Sequence, residues 1–427
     1  MNLSRRSLLF CAAATPYLRT LAHAATVSAG KGDQTQLLQA AISDAVKTGG
    51  VVQLGAGTFE TGVLSILSNV TIQGIPGLTK LHAPAGGRIF SILPASQVVL
   101  QGIALSAKGS TGNLITAEGV ERLIIEDCDF SGAEAGLRIA TCGGRISGNR
   151  LRFHQKVACQ SIAATGMEIS GNTVSDIGNN GIQVWRDDKG DNPTIVSNNF
   201  VSRIAAEDGG DGPNGNGINI YASHGAIVSN NRIADCAFTG IRNASSDDCI
   251  ITGNSITRCN EVAMYVEFEF SGAVVANNII DTASHGIAIT NFMQGGRLAQ
   301  CTGNVVRNIR GTDAHGRTLG GGIAAEADTV IANNVVEAAE NYGIGLGWGA
   351  YARNLSCTGN IVKDTKNGIV FSAVGPGPFI ISNNIISGAT VGAIFGKDHE
   401  NPITTDLTLP GAKVPAQASI TGNMVRS

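Results

Sequence analysis

Asn231-Arg232-Ile233-Ala234-Asp235-Cys236-Ala237-Phe238-Thr239-Gly240-Ile241 is followed 23 residues later by Asn254-Ser255-Ile256-Thr257-Arg258-Cys259-Asn260-Glu261-Val262-Ala263-Met264. Two landmarks recur: an Asn that opens a short apolar run, and a Gly followed by an aliphatic residue. The first stands at Asn149, Asn172, Asn231, Asn254, Asn278, Asn334 and Asn360. The second stands at Gly136, Gly181, Gly217, Gly240, Gly286, Gly322, Gly343 and Gly368, with Ala158 and Ala263 in two places. Most intervals are 21 to 25 residues, and two of 36 hold insertions. A period near 23 with two landmarks indicates a stacked solenoid, because one such unit cannot bury its apolar face alone. Three short strands per turn of this length predict an all-β parallel β-helix of roughly a dozen coils, about 4.8 Å apart.

In Gly-Ile-x-Ile-x the second and fourth side chains point inward and the third and fifth outward. The inward set predicts a core ladder of Ile182, Ile218, Ile241, Met264, Ile287, Ile323 and Ile344. The repeated Asn is read as a turn former, since Asn tolerates the left-handed backbone and its amide satisfies neighbouring main-chain groups. Ahead of the coils, residues 33–48 space apolar groups as an amphipathic helix, a cap for the open end of the solenoid. Residues 401–418 read as an irregular insertion before the last repeat.

The N-terminus bounds where the chain works. Arg5-Arg6 precedes a weakly apolar stretch and Ala22-His23-Ala24 offers a cleavage site, so residues 1–24 read as a twin-arginine export signal and 25–427 as one β-helix domain. Export machinery is then a partner, and the mature protein is expected in the periplasm or secreted. No apolar run reaches the length of a membrane span. The mature chain carries 27 basic against 33 acidic side chains, which argues against a nucleic-acid partner. A monomer is expected. Cys236 and Cys259 should stack on adjacent coils, either as buried thiols or as a disulfide.

The capping helix followed by Gly-Gly-Val-Val-Gln-Leu-Gly-Ala-Gly-Thr-Phe at 49–59 resembles the start of pectate-lyase-superfamily β-helices, and the Asn and Gly-Ile coils resemble their repeats. With the twin-arginine signal, the whole mature chain is similar to twin-arginine-translocated repetitive proteins of proteobacteria. The resemblance implies a single-stranded right-handed parallel β-helix. It transfers no catalytic residue. Ser246-Asp247-Asp248 and the Ser-His-Gly triplets at 223–225 and 284–286 only loosely match polygalacturonase-like hydrolases, whose other motifs are missing. The alginate-epimerase Asp-Pro-His motif is missing too.

Both long intervals place insertions around the Gly-Ile strands: 186–192 and 205–216 in one, 291–297 and 311–321 in the other. They predict a groove with the strand face as floor. Its outward residues include Gln183, Trp185, Arg186, Asn219, Tyr221, Thr290 and Trp348 as substrate-binding candidates, since flat rings stack on sugars and forked donors orient hydroxyls and carboxylates. Catalytic candidates are Arg242, Tyr265, Glu267, His285 and Glu326. Glu267 and Glu326, two coils apart, would suit an inverting hydrolase; Arg242 with Tyr265 would suit a lyase or epimerase; His285 is a further base. The expected partner is a polysaccharide, uronate-containing, with a non-catalytic envelope scaffold as the alternative. No cofactor is required. Calcium is the one metal the acidic loops could serve, with Asp208 and Asp211 as ligands.

Overall fold

The computed structural model describes residues 25–426 apart from 49, 110, 210, 211, 291, 292, 294, 313–315, 317 and 318. The export signal at 1–24, Asp211 and parts of the loops at 291–297 and 311–321 lie outside the described residues. The chain winds as a parallel β-helix of about 14 turns, slightly more than the sequence period suggests. One face is a sheet of 16 strands running from Ala25–Val27 to Ala418–Thr421. The strands that follow each Asn and the Gly-Ile strands form the other two faces. These two merge into one sheet because Ser255–Glu267 and Ile279–Ile289 run unbroken through the corner between them.

What fixes the coils from Asn149 onward is a column of buried amides. The side-chain oxygen of Asn172 accepts from the backbone N–H of Asn149 at 2.9 Å and from its amide at 3.0 Å, while the Asn149 amide also donates to Ile125 O at 2.9 Å. The same contacts repeat through Asn199, Asn231, Asn254, Asn278, Asn304, Asn334, Asn360, Asn384 and Asn423. Only Oδ1 can accept from an N–H, so the pattern sets the orientation of every amide. The amides thus satisfy main-chain groups as expected, and the turn-former reading is corrected on one point. The left-handed residue is the one before each ladder Asn, for example Gly171 at φ 64°, Asn198 at 57° and Asn230 at 56°. The ladder Asn itself supplies hydrogen bonds that would otherwise be missing inside the rod.

Four residues further on, Asp176, Arg203, Asp235 and Arg258 adopt φ of 54° to 59° and turn the chain onto the Gly-Ile face. Their side chains pair along the outside, Arg203 with Asp176 at 2.6 Å and Arg258 with Asp235 at 2.5 Å. Exposed pairs of this kind add little stability.

The Gly-Ile glycines serve close approach. A Cβ on Gly217 would stand 2.7 Å from both Gly240 O and Ile233 Cγ2. The aliphatic ladder falls in the expected register, Ile182 beside Ile218, then Ile241, Met264, Ile287, Ile323 and Ile344, each 0% exposed. Burying each such side chain contributes about 1.5–3 kcal/mol. Cys236 and Cys259 are register partners, and all eight described cysteines are free and buried, so they stack as thiols rather than as a disulfide.

The N-terminal helix α1 spans Thr35–Thr48 and lays Leu38, Ile42 and Ala45 on the end of the rod. It starts two residues later than the spacing predicts because Asp33 acts as its cap, accepting from Thr35 N at 2.9 Å. Residues beyond Gly392–Asp398 close the other end. Asn401–Pro402 folds back antiparallel, Leu407 is buried, and the Asp406 carboxylate accepts from Ala393 N at 2.7 Å. No helix among the described residues is long and apolar enough to cross a membrane.

Replacing Asn254 by Ala leaves the Asn231 N–H and amide and the Val228 carbonyl short of partners. Each orphaned buried group costs about 1–3 kcal/mol. Asn254→Ala should therefore lower the urea midpoint sharply, whereas Ser255→Ala, exposed on the same coil, should leave it nearly unchanged.

Candidate functional site

The outward column is continuous. Gln183, Asn219, Arg242, Tyr265, Ala288, Ala324 and Gly345 follow one another in register, and Trp185, Tyr221, Ala244 and Glu267 run beside them. The environment changes along its length, and the candidates separate into three groups.

Upstream, the Trp185 and Tyr221 rings stack with centroids 4.4 Å apart. Trp185 Nε1 donates to Asp187 at 3.4 Å, and Arg186 is turned back to the carbonyls of Asp188 and Asp191 at 3.0 and 3.2 Å. Asn219 and Gln183 are both buried. The loop after Trp185 runs along the rod: Lys189 Nζ reaches Glu269 O at 2.5 Å and approaches the Asp247 carboxylate at 3.7 Å, so it walls one side of the groove. On the other side the Asp208 carboxylate faces Lys156 Nζ at 3.9 Å. An ammonium there competes with any cation for that carboxylate. No group of metal-ligating side chains forms among the described residues.

In the middle lies a buried charge cluster. Arg242 Nε donates to Glu267 at 2.5 Å, its Nη1 approaches Glu261 at 3.5 Å, and its guanidinium lies 5.0 Å from the Tyr265 ring centroid. Thr239 Oγ1 donates to Glu261 at 2.7 Å, and Gly212 of the loop at 205–216 lies over the guanidinium. Burial pulls the Arg242 pKa down, and Glu267 and Glu261 more than offset it, so the net shift is upward. The cation expected to receive a substrate carboxylate is thus already matched by two of the protein's own. Burial, reinforced by Glu267, also raises the Tyr265 pKa, which keeps the phenol protonated.

Downstream a cavity of about 200 Å³ opens, lined among others by Tyr265, His285, Thr290, Glu326, Tyr342, Trp348 and Lys397. Five of the sequence candidates meet here. His285 stands one residue before the Gly of its coil, and Tyr342 holds the same position two coils later. Between them that position is Gly321, on which a Cβ would stand 2.5 Å from His285 Cε1 and 2.6 Å from Tyr342 Cζ. The missing side chain lets the rings meet edge to face at 6.1 Å. Burial lowers the His285 pKa to about 4, so the ring is neutral near pH 7, and its Nε2 has no hydrogen-bond partner. Lys397 Nζ lies 5.9 Å from the Tyr342 ring centroid, with no carboxylate in ion-pair contact among the described residues. Burial lowers the Lys397 pKa and raises that of Tyr342. Trp348, 46% exposed, meets His399 edge to face at 5.2 Å and forms the rim. Sequence reasoning misses Tyr342 and Lys397: only His285 is singled out at the position before each Gly, and the outward column is read no further than Trp348, although Lys397 is the register partner of Ser372 one coil on.

Burial makes both inner groups sensitive, one to substitution and one to pH. Arg242→Met removes the buried guanidinium from Glu261 and Glu267 and should cost about 3–5 kcal/mol in urea unfolding. His285 and His154 both have folded pKa values of about 4 against 6.5 for the free side chain. Their contribution is intact above pH 6.5 and is lost as pH falls toward 4, roughly 3 kcal/mol for each. Thermal midpoints should therefore drop in that window, above the range where carboxylates protonate.

A family model described as right handed beta helix region matches residues 90–212 and 210–407. Among solved structures, the chain is similar to the pre-mature gene product 12 of bacteriophage phi29, with 15% identity over 89% of this chain and 57% of that one, at a TM-score of 0.59. It is similar to the enzymatically active domain of tailspike protein 2 of bacteriophage CBA120, with 16% identity over 66% and 48% and a TM-score of 0.53. The catalytic unit of an α-1,3-glucanase from Streptomyces thermodiastaticus gives 16% identity over 95% and 70%, with a TM-score of 0.49. The chain spans about half the length of the two phage structures. The two phage likenesses establish a shared fold. No curated protein matches the sequence.

Proposed function

We propose, from the premise that this chain belongs to the right handed beta helix family, that it binds an acidic polysaccharide along the Gly-Ile face and acts on it as a lyase or epimerase. The observation that carries the reading is the downstream cavity, where a neutral His285 with an unpartnered Nε2, the Tyr342 phenol and the Lys397 cation converge beneath an exposed tryptophan. The sequence of residues 1–24 supports export, and a periplasmic or secreted setting fits a polymer substrate.

Lys397 is assigned the uronate carboxylate, because it is a buried cation with no carboxylate in ion-pair contact among the described residues. Pairing there makes the C5 proton more acidic. His285 takes that proton through Nε2 as the C5–H bond breaks, a step that requires the bound sugar to displace the side chains that bury this nitrogen. In a lyase the electron pair forms the C4=C5 bond and expels the C4 oxygen, which takes a proton from the Tyr342 hydroxyl. In an epimerase the Tyr342 hydroxyl, instead of protonating O4, returns a proton to C5 on the opposite side. The hydrolase pairing of Glu267 with Glu326 is disfavoured, since Glu267 is held by Arg242.

The mature protein, incubated with acidic and neutral glycans, should generate unsaturated-sugar absorbance or exchange the C5 proton with solvent on the acidic ones. His285→Gln should lower kcat by about 10²-fold or more, and Lys397→Met should mainly raise KM. The His285 base must be neutral to act, so kcat/KM should rise with pH through about 4 and stay high at neutrality. Trp348→Ala should weaken binding about tenfold without unfolding the protein. No turnover and no binding on any acidic glycan would overturn the proposal.

A further inference from the structure

A second cleft, of about 400 Å³, opens upstream on the same face, where Arg138, Gln160 and Gln183 occupy the outward column. Thr116, Arg138, Gln160, Gln183 and Asn219 are consecutive register partners, so this cleft and the downstream cavity share one strand face. Gln160 Nε2 donates to Gln183 Oε1 at 3.0 Å. That single bond leaves the Gln160 acceptor and the Gln183 donors for something outside the protein. Arg138 is exposed and has no carboxylate within 4.0 Å among the described residues. On the wall, Lys156 is already matched by Glu134 at 3.2 Å and Asp208 at 3.9 Å, which leaves Arg138 as the open cation of this cleft.

We propose that Arg138 with the Gln160–Gln183 amide pair forms a distal subsite for a uronate unit of the same polymer, reached by a glycan lying on the Trp185–Tyr221 platform. The inference rests on the acidic-polysaccharide reading and adds where a long substrate extends. A forked guanidinium takes a carboxylate in two parallel hydrogen bonds, and adjacent amides offer both donors and acceptors to sugar hydroxyls. Arg242 cannot fill this role, because Glu267 and Glu261 already hold it. From the coil of Arg138 to that of Tyr342 the face covers eight coil steps, roughly 38 Å at about 4.8 Å each. Only an extended chain of several sugars touches both ends, so the subsite should act on long oligomers alone.

The test measures binding of short and long oligogalacturonates and oligoalginates to the mature protein and to Arg138→Gln by calorimetry. Arg138 is exposed, so the variant should fold, and circular dichroism verifies it. Wild type should bind long acidic oligomers more tightly than short ones. Arg138→Gln should lose about tenfold in affinity for the long ones and nothing for the short ones. Equal affinity of both proteins at every length overturns the subsite while leaving the downstream reading intact. If wild type binds no acidic oligomer of any length, the functional reading falls and the subsite with it.

Discussion

From Asn149 to Asn423 the fold depends on a hydrogen bond made about once per turn, from the backbone and amide of one buried asparagine to the amide oxygen of the next. Strand pairing alone would permit neighbouring coils to slip by two residues and still keep apolar side chains inside. The amide column forbids this, because a slipped coil would leave a donor and an acceptor unpaired in a dry interior. Apolar ladders then supply most of the burial energy, and the glycines let coils approach closely where a Cβ would strike the next carbonyl.

Locked register is what turns a sequence repeat into a chemical site. Residues 20 to 40 apart in the chain become neighbours one step apart on the rod, and His285 and Tyr342, two steps apart, come together across Gly321. The insertions do the rest by dividing the face. The loop at 205–216 seals Arg242 into a charge cluster, and the closing hairpin carries Lys397 to the edge of the downstream cavity. A uniform face becomes two open regions separated by a buried one.

Much of this is legible in the sequence. The period, the inward aliphatic ladder and the outward column come directly from alternation, and Tyr265, His285, Thr290, Glu326 and Trp348 do line one cavity. Alternation describes direction but not cover, so Arg242 and Glu267 read as open groups although a loop from the preceding coil and a mutual ion pair bury them. The asparagines stand out as a repeat and their amides do satisfy main-chain groups, but the left-handed residue precedes each of them, and the bonding of amide to amide along the rod is not legible. Asn199, Asn304 and Asn384 belong to the ladder though the Gly landmark spacing does not single them out. Tyr342 repeats the His285 position two coils on and Lys397 is the register partner of Ser372, so both hold periodic positions, but the outward column is read in the sequence only as far as Trp348.

The most direct measurement is a crystal structure of the mature protein bound to an acidic oligosaccharide that it does not turn over. The account predicts a sugar ring against Trp348, a carboxylate at Lys397 Nζ and the C5 carbon facing His285. An oligosaccharide seated on either of the other two faces, or a Lys397 ammonium left without a carboxylate while sugar fills the cavity, would contradict it.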